Sequence, residues 1–346
     1  MSRKLLSYTA LGLILGNAAI ADVPKVAVDI APVHSLVSRV MEGVGSPKLI
    51  IPAGASPHEY SLRPSEAKSL QDADMVIWMG EDLAPWMENS IEKLAKNAEV
   101  ITLLEASETK LLDFREGALF EEHDHGDHDD HDDHDDHDHD KDHDDHDDHD
   151  DHDDHDKDHD DHDDHDDHDD HAGHDHGEHD PHAWLSIENA QTWLNLVAGK
   201  LSAADPENAG VYFGNAAAAR SEIEELSKEV NSILDPVRGR SFVVFHDAYQ
   251  YFETSFDFPA SGAISLGDAT DPSASRIAEI QGRVREEGIN CVLSEPQYNP
   301  NLVETVLEGT DAKTGVIDPL GVNLEPGPKL YGDLIRNMAK SLAGCL

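Results

Sequence analysis

A run of sixty residues in the middle of the chain restricts what the rest can fold into. Between positions 121 and 180 the sequence is dominated by HDD repeats and holds 31 Asp, 3 Glu and 20 His against only Lys141 and Lys157. Aspartate is a weak helix former, and neighbouring carboxylates repel. A three-residue period would also carry a histidine stripe around a helix by about 60° per repeat, so no face could be kept. The run offers no apolar surface to bury and is expected to be a solvated, disordered loop. Any core must therefore come from the sequence on either side of residues 121–180.

The same run explains the charge. It carries −32 of the chain's formal −48, which leaves −16 for the remainder, a common value for a globular protein. Neither part has a basic stripe, so nucleic acid and anionic membranes, which would repel both, are poor partners. Cations are the natural ligands. Imidazole suits Zn²⁺, Cu²⁺ and Ni²⁺, and the run lacks the central Gly and terminal Glu of a calcium loop. Histidines such as His143, His146, His149 and His152 in HDDHDDHDDHDDHD are candidate accessory metal ligands. Each ion would have to order a charged, flexible segment, so these sites are expected to be weak, interchangeable and lost when His protonates.

The first 21 residues read as a secretory signal: Arg3 and Lys4, an apolar stretch from Leu5 to about Gly16, then Ala19-Ile20-Ala21. Cleavage is expected after Ala21, giving a periplasmic protein without stable membrane insertion, since no later apolar run approaches about 20 residues. Export makes a disulfide between Cys291 and Cys345 the expected state of both cysteines, pinning a C-terminal helix to a core strand.

Outside the run, short apolar segments alternate with amphipathic ones. Strands are expected at 25–30, 48–51, 75–79 and 100–104, with helices at 32–42, 64–72 and 83–96 between them. After the run, a helix capped by Ser186 is expected to reach Ser202, followed by a longer one over 205–234, begun by DPEN and ended by Pro236. A second alternating set follows, with strands at 241–245, 263–266, 290–293 and 315–318. Its helices are expected at 248–255, 273–287, 300–308 and 329–342. Such alternation implies α/β architecture: two lobes, each a parallel-type sheet flanked by helices, joined by one long spine helix, with the ligand site in the inter-lobe cleft. The expected divisions are the signal at 1–21, an N-terminal lobe at 22–204 containing the His/Asp-rich loop at 121–180, the connecting helix at 205–235 and a C-terminal lobe at 236–346.

Only His34, His58, His182 and His246 lie outside the run. His58 sits in a Gly/Pro loop after the second expected strand, His182 just before the Ser186-capped helix, and His246 where the strand SFVVF is expected to give way to the helix DAYQYF. Strand ends of this kind are where α/β proteins bind ligands, so these three could close one inter-lobe metal site. His34 falls early in the first expected helix and reads as structural or as a support to the site.

Around these histidines the chain resembles the metal-binding clade of periplasmic solute-binding proteins that feed ABC importers, and within it the zinc-uptake members. The resemblance rests on PHEYSLRPS at His58, DPHAWLS at His182, FHDAYQYF at His246 and IDPLG at Asp318, in that order, together with the His/Asp-rich insert and the cysteine pair. It implies His58, His182 and His246 as nitrogen ligands, with Asp318 or Glu59 near a fourth position. Manganese-type relatives carry Glu where this chain has His246, so three imidazoles favour Zn²⁺ over the harder Mn²⁺. Asp247 is either an acceptor that orients the site or a helix N-terminal acid. The implied protein is no enzyme: a monomer that captures zinc and delivers it to the membrane permease of an ABC importer, its loop collecting or buffering zinc beside the cleft. The long spine is expected to limit hinge motion. The alternatives are a carrier of manganese or another divalent metal, a secreted zinc buffer, and a secreted zinc hydrolase. The last would have to use Glu59 as its base, for no HExxH is present.

Overall fold

A computed structural model describes residues 23–115, 120, 179–265 and 272–346. The signal with its cleavage site and the run carrying His143, His146, His149 and His152 lie outside the described residues. Strands β1 (Val26–Val28), β2 (Lys48–Leu49), β3 (Met75–Trp78) and β4 (Glu99–Thr102) pair in parallel in the order β2-β1-β3-β4. Helices α1 (Ala31–Val40), α2 (Pro64–Gln71) and α3 (Pro85–Leu94) connect them, each with Pro in its first turn, where the missing N–H costs nothing. Two helices come next, α4 (Ile187–Ala204) and α5 (Ala209–Leu234).

The second sheet repeats the first. Strands β5 (Phe242–His246), β6 (Gly262–Ser265), β7 (Cys291–Ser294) and β8 (Lys313–Val316) are parallel in the order β6-β5-β7-β8. Its helices are α6 (Gln250–Phe256), α7 (Ala274–Glu286), α8 (Pro300–Leu307) and α9 (Leu330–Cys345). In both sheets the chain adds one neighbour to its first strand and then crosses to the other side. The crevice at the carboxyl ends of β1 and β5 is thus a topological switch point, the usual ligand position in such sheets.

Both faces of the inner strands are covered, which is why β1, β3 and β5 read as unbroken apolar runs. Val26 and Val28 point into one core while Ala27 points into another with Val76, Trp78 and Met87. Likewise Phe242 and Val244 share the first core, whereas Val243 and Phe245 face Ile280 and Val303 on α7 and α8. The first core is the largest and runs without interruption from β1 and β3, through α1, α4 and α5, to β5, β7 and α9. Helix α5 supplies its spine: Tyr212, Ala216, Ala219, Ile223, Leu226, Val230 and Leu234 recur every three or four residues and form one buried stripe. At 26 residues it is about 39 Å long. Parting the sheets would expose this shared surface at about 25 cal/mol per Å², so large hinge opening is opposed by the core itself.

Two local expectations fail. The DPEN segment does not begin the long helix: Pro206–Asn208 forms a separate 3-10 turn, and α5 starts at Ala209. Asp205, buried, accepts from the Asn208 amide and the Tyr212 hydroxyl at 2.7 and 2.8 Å, so its side chain fastens the turn to α5. Residues 247–249 are not helical either, and α6 begins at Gln250. The disulfide between Cys291 at the start of β7 and Cys345 at the end of α9 is present, with a Cα–Cα distance of 5.8 Å. Closing a loop of this length contributes ~4 kcal/mol on the chain-entropy account.

Candidate metal centre

His58 is carried by the loop after β2. Gly54 turns that loop with φ of 87°, a left-handed conformation that a side chain would strain. The Trp86 indole of α3 donates to the Pro57 carbonyl at 2.8 Å, and the Tyr60 hydroxyl donates to Glu66 of α2 at 2.9 Å. The half-buried His58 is therefore held on a loop fastened to two helices.

His182 lies one residue before the 3-10 turn Ala183–Leu185. Asp180 binds it twice: Oδ1 accepts from the His182 backbone N–H at 2.9 Å and pairs with ring Nδ1 at 2.7 Å. Ser186 then caps α4 by accepting from the Asn189 N–H, as expected. The Trp184 indole reaches across to donate to the Pro319 carbonyl at 2.8 Å.

His246 is the last residue of β5, an inner strand whose end opens on the crevice. Its Nδ1 is 2.6 Å from Glu295 Oε1, just past the end of β7. Tyr249 and Tyr298 lie against its ring. Both ring and carboxylate are nearly inaccessible to water.

These placements bring the three histidines together. Ring centroids are 5.6 Å apart for His58 and His182 and 5.3 Å for His182 and His246. Imidazoles on one tetrahedral zinc, at Zn–N distances of about 2.0–2.1 Å, would have centroids roughly 5 Å apart. Among the described residues no group of three His, Cys, Asp or Glu is in metal-holding geometry. The rings line a cavity of about 20 Å³, with Glu295, Gln297 and Pro319 also in its wall, room for roughly one water or one ion. A carboxylate accepts and does not donate, so Asp180 and Glu295 fix the proton on Nδ1 of their histidines and make Nε2 the lone-pair nitrogen.

The other expected residues lie differently. Asp318 does not line this cavity: Oδ1 accepts from the Leu320 and Gly321 N–H groups and Oδ2 from Val322 N–H, at 2.7–3.1 Å, so the carboxylate organises its own turn. Glu59 is exposed and also absent from the cavity wall. Asp247 turns away from the histidines to pair with Arg115, whose guanidinium also grips Glu253. It is neither an acceptor for a ring nor the cap of α6. Burial pushes the Asp247 carboxyl up, and the Arg115 hydrogen bonds oppose that. His34 is structural, with Nε2 at 3.2 Å from the Pro47 carbonyl and Nδ1 near Ser38; burial pushes it down, keeping it neutral. Sequence reasoning missed Asp180, Glu295 and Arg115. Asp180 was findable, two residues before His182; Glu295 carries no local signal, being 49 residues from its histidine.

A family model for ZnuA, described as zinc-uptake complex component A, periplasmic, matches residues 26–345. The high-affinity zinc uptake system protein ZnuA of Brucella abortus (strain 2308) is 45% identical over 331 residues, covering 96% of this chain and 94% of that protein. Its counterpart from Paracoccus denitrificans (strain Pd 1222) is 46% identical over 344 residues, covering 98% of each. Among solved structures, a crystal structure of ZnuA superposes with a TM-score of 0.67 at 18% identity over 94% of this chain and 99% of that one. A zinc-bound deletion mutant of ZnuA gives the same TM-score and identity, with coverage of 94% and 98%. At that identity the superpositions speak to the fold.

Proposed function

The chain belongs to the family of periplasmic zinc-uptake components, and on that footing we propose that His58, His182 and His246 hold the zinc ion it carries. The protein is a solute-binding component of zinc uptake by an ABC-type importer, and it is not an enzyme. The observation that carries the ligand assignment is the convergence of three imidazoles, from three separate segments, on one small cavity, two of them with Nδ1 held by a buried carboxylate. An all-nitrogen protein donor set with one position left for water suits Zn²⁺ and disfavours Mn²⁺.

Capture then needs no large motion. The core shared by the two sheets opposes wide opening, so the rings are expected to take up the ion by local movement. The membrane permease of the importer receives the ion from a monomeric carrier, which works in the periplasm after signal cleavage following Ala21. The His/Asp run contributes by collecting or buffering zinc for that site, as many weak ligands tethered to one strong site do.

Zinc titration of the protein lacking residues 123–179, beside its His58→Ala, His182→Ala and His246→Ala variants, tests this. One tight site is expected to survive the deletion and to be lost in each substitution. Tight binding that persists through the three substitutions would sink the ligand assignment, and loss of all binding on deletion would make the run itself the receptor.

A further inference from the structure

The half-buried cation Arg115 does not line the histidine cavity, yet it pairs with Asp247, the residue after His246. It ends a segment that leaves β4 and crosses to α6. Along this segment Lys110 N–H donates to the Asn189 side chain at 2.8 Å, and Leu112 N–H donates to the Tyr251 hydroxyl at 2.9 Å. The returning chain docks on the same place: Asp180 N–H donates to the Leu112 carbonyl at 2.8 Å, and the Tyr251 hydroxyl donates to the Asp180 carbonyl at 2.9 Å. Asp180 is the residue that holds His182.

At the end of this segment the Arg115 guanidinium binds two carboxylates side by side. Nε lies 3.0 Å from Asp247 Oδ2 and Nη2 also meets Asp247 Oδ1; Nη1 lies 2.7 Å from Glu253 Oε2, and Nη2 is 3.0 Å from Glu253 Oε1. Both acids are buried, and Glu253 Oε2 also accepts from Ala260 N–H. The Phe120 ring covers the guanidinium, with Cζ 3.5 Å from its centroid. Asp247 follows His246 directly. Hydrogen bonds join His182 to Asp180, Asp180 to Leu112 and Arg115 to Asp247, and the backbone links Leu112 to Arg115 and Asp247 to His246.

We propose that Arg115 is a latch that holds His182 and His246 in register, so that its ion pairs set how slowly zinc leaves the site. This rests on the assignment of His182 and His246 as ligands. A metal escapes when its ligands can separate one by one, and Arg115 ties the strand end carrying one ligand to the segment carrying the other. Without it, two adjacent buried carboxylates lose their shared cation, and residues 247–253 are pushed from that packing. The effect falls on release, because association needs only the approach of an ion to a site that can still close.

Zinc release from the full chain into excess chelator, followed by intrinsic tryptophan fluorescence, to which Trp184 beside His182 contributes, tests the latch. Arg115→Ala is expected to release zinc at least about tenfold faster, with association changed less than about threefold. Arg115→Lys, which keeps the charge but not the fork, and Glu253→Gln are expected to fall between, and adding Glu253→Gln to Arg115→Ala should add little. Arg39→Ala breaks an ion pair with Glu222 remote from the cavity and is expected to leave release unchanged. Release within twofold of the parent in Arg115→Lys and Glu253→Gln, even where Arg115→Ala does not fold, overturns the proposal, as does an equal slowing of association in all variants. His246→Ala separates the two readings: if it retains tight zinc, the ligand assignment fails, whereas a loss of tight zinc with unaltered Arg115 variants removes only the latch.

Discussion

The two sheets share a strand order and differ in what stands at the end of the inner strand. After β1 comes Asp29; β5 ends in His246. Both are buried, and both lie at the switch point where the fold invites a ligand. In the first sheet the position is closed from within: Asp29 Oδ1 accepts from Ile30 N–H at 2.7 Å and Oδ2 from Met79 N–H at 2.6 Å. In the second the ring is held from behind by Glu295, and its other nitrogen is the one suited to a metal. One fold position can therefore carry a side chain consumed by backbone amides or one oriented by another side chain, the second being the arrangement proposed to hold zinc.

The sharpest way to break the comparison is to remove the metal-side residue. His246→Ala is expected to weaken zinc binding by more than roughly 100-fold, the upper end for residues that only support a ligand; calorimetric titration reads this. Glu295→Gln and Asp180→Asn come next, at roughly 10–100-fold, because the ligand is kept while its tautomer and orientation are released. A loss of less than twofold in both would mean that those carboxylates merely fill space.

The smallest expected effect on zinc is at the other sheet. Asp29→Asn should leave zinc affinity within about twofold while costing about 1–3 kcal/mol of stability, since an amide cannot accept from both N–H groups with its nitrogen facing one of them. Burial pushes the Asp29 carboxyl up to about 7. In the interval between its unfolded value near 4 and that value, the native state keeps a proton that the unfolded chain has lost, so this group makes stability fall as pH rises. Melting curves from pH 4 to 7 should be flatter for Asp29→Asn than for the parent. An equal slope in both would dissociate that carboxyl from the pH dependence.

Much of the scaffold was legible because its signals are local. The apolar runs at 25–30 and 241–245 are strands buried on both faces, and Ser186 and Ser273 accept from the N–H groups that helix starts leave over. The three histidines were legible as scarce residues at element ends. Their supports were not, and Asp247 shows why. Adjacent to His246 in sequence, it reads either as an acceptor for that ring or as a helix N-terminal acid, but successive side chains at a strand end point opposite ways. His246 meets Glu295 and Asp247 meets Arg115. Asp318 is engaged locally: its carboxylate accepts from the N–H groups of Leu320, Gly321 and Val322.

By itself the sequence determined the alternation that makes two parallel sheets, the spine stripe on α5, the cysteine pair and the candidate histidines, because each depends on periodicity, composition or spacing within one segment. Tertiary structure alone decided which carboxylate holds which ring, that Asp318 faces its own backbone, and that Arg115 links residues 132 and 138 positions away. Hydrogen-bond partners are chosen by distances in space, and in a parallel sheet the neighbours at a strand end arrive from separate crossovers.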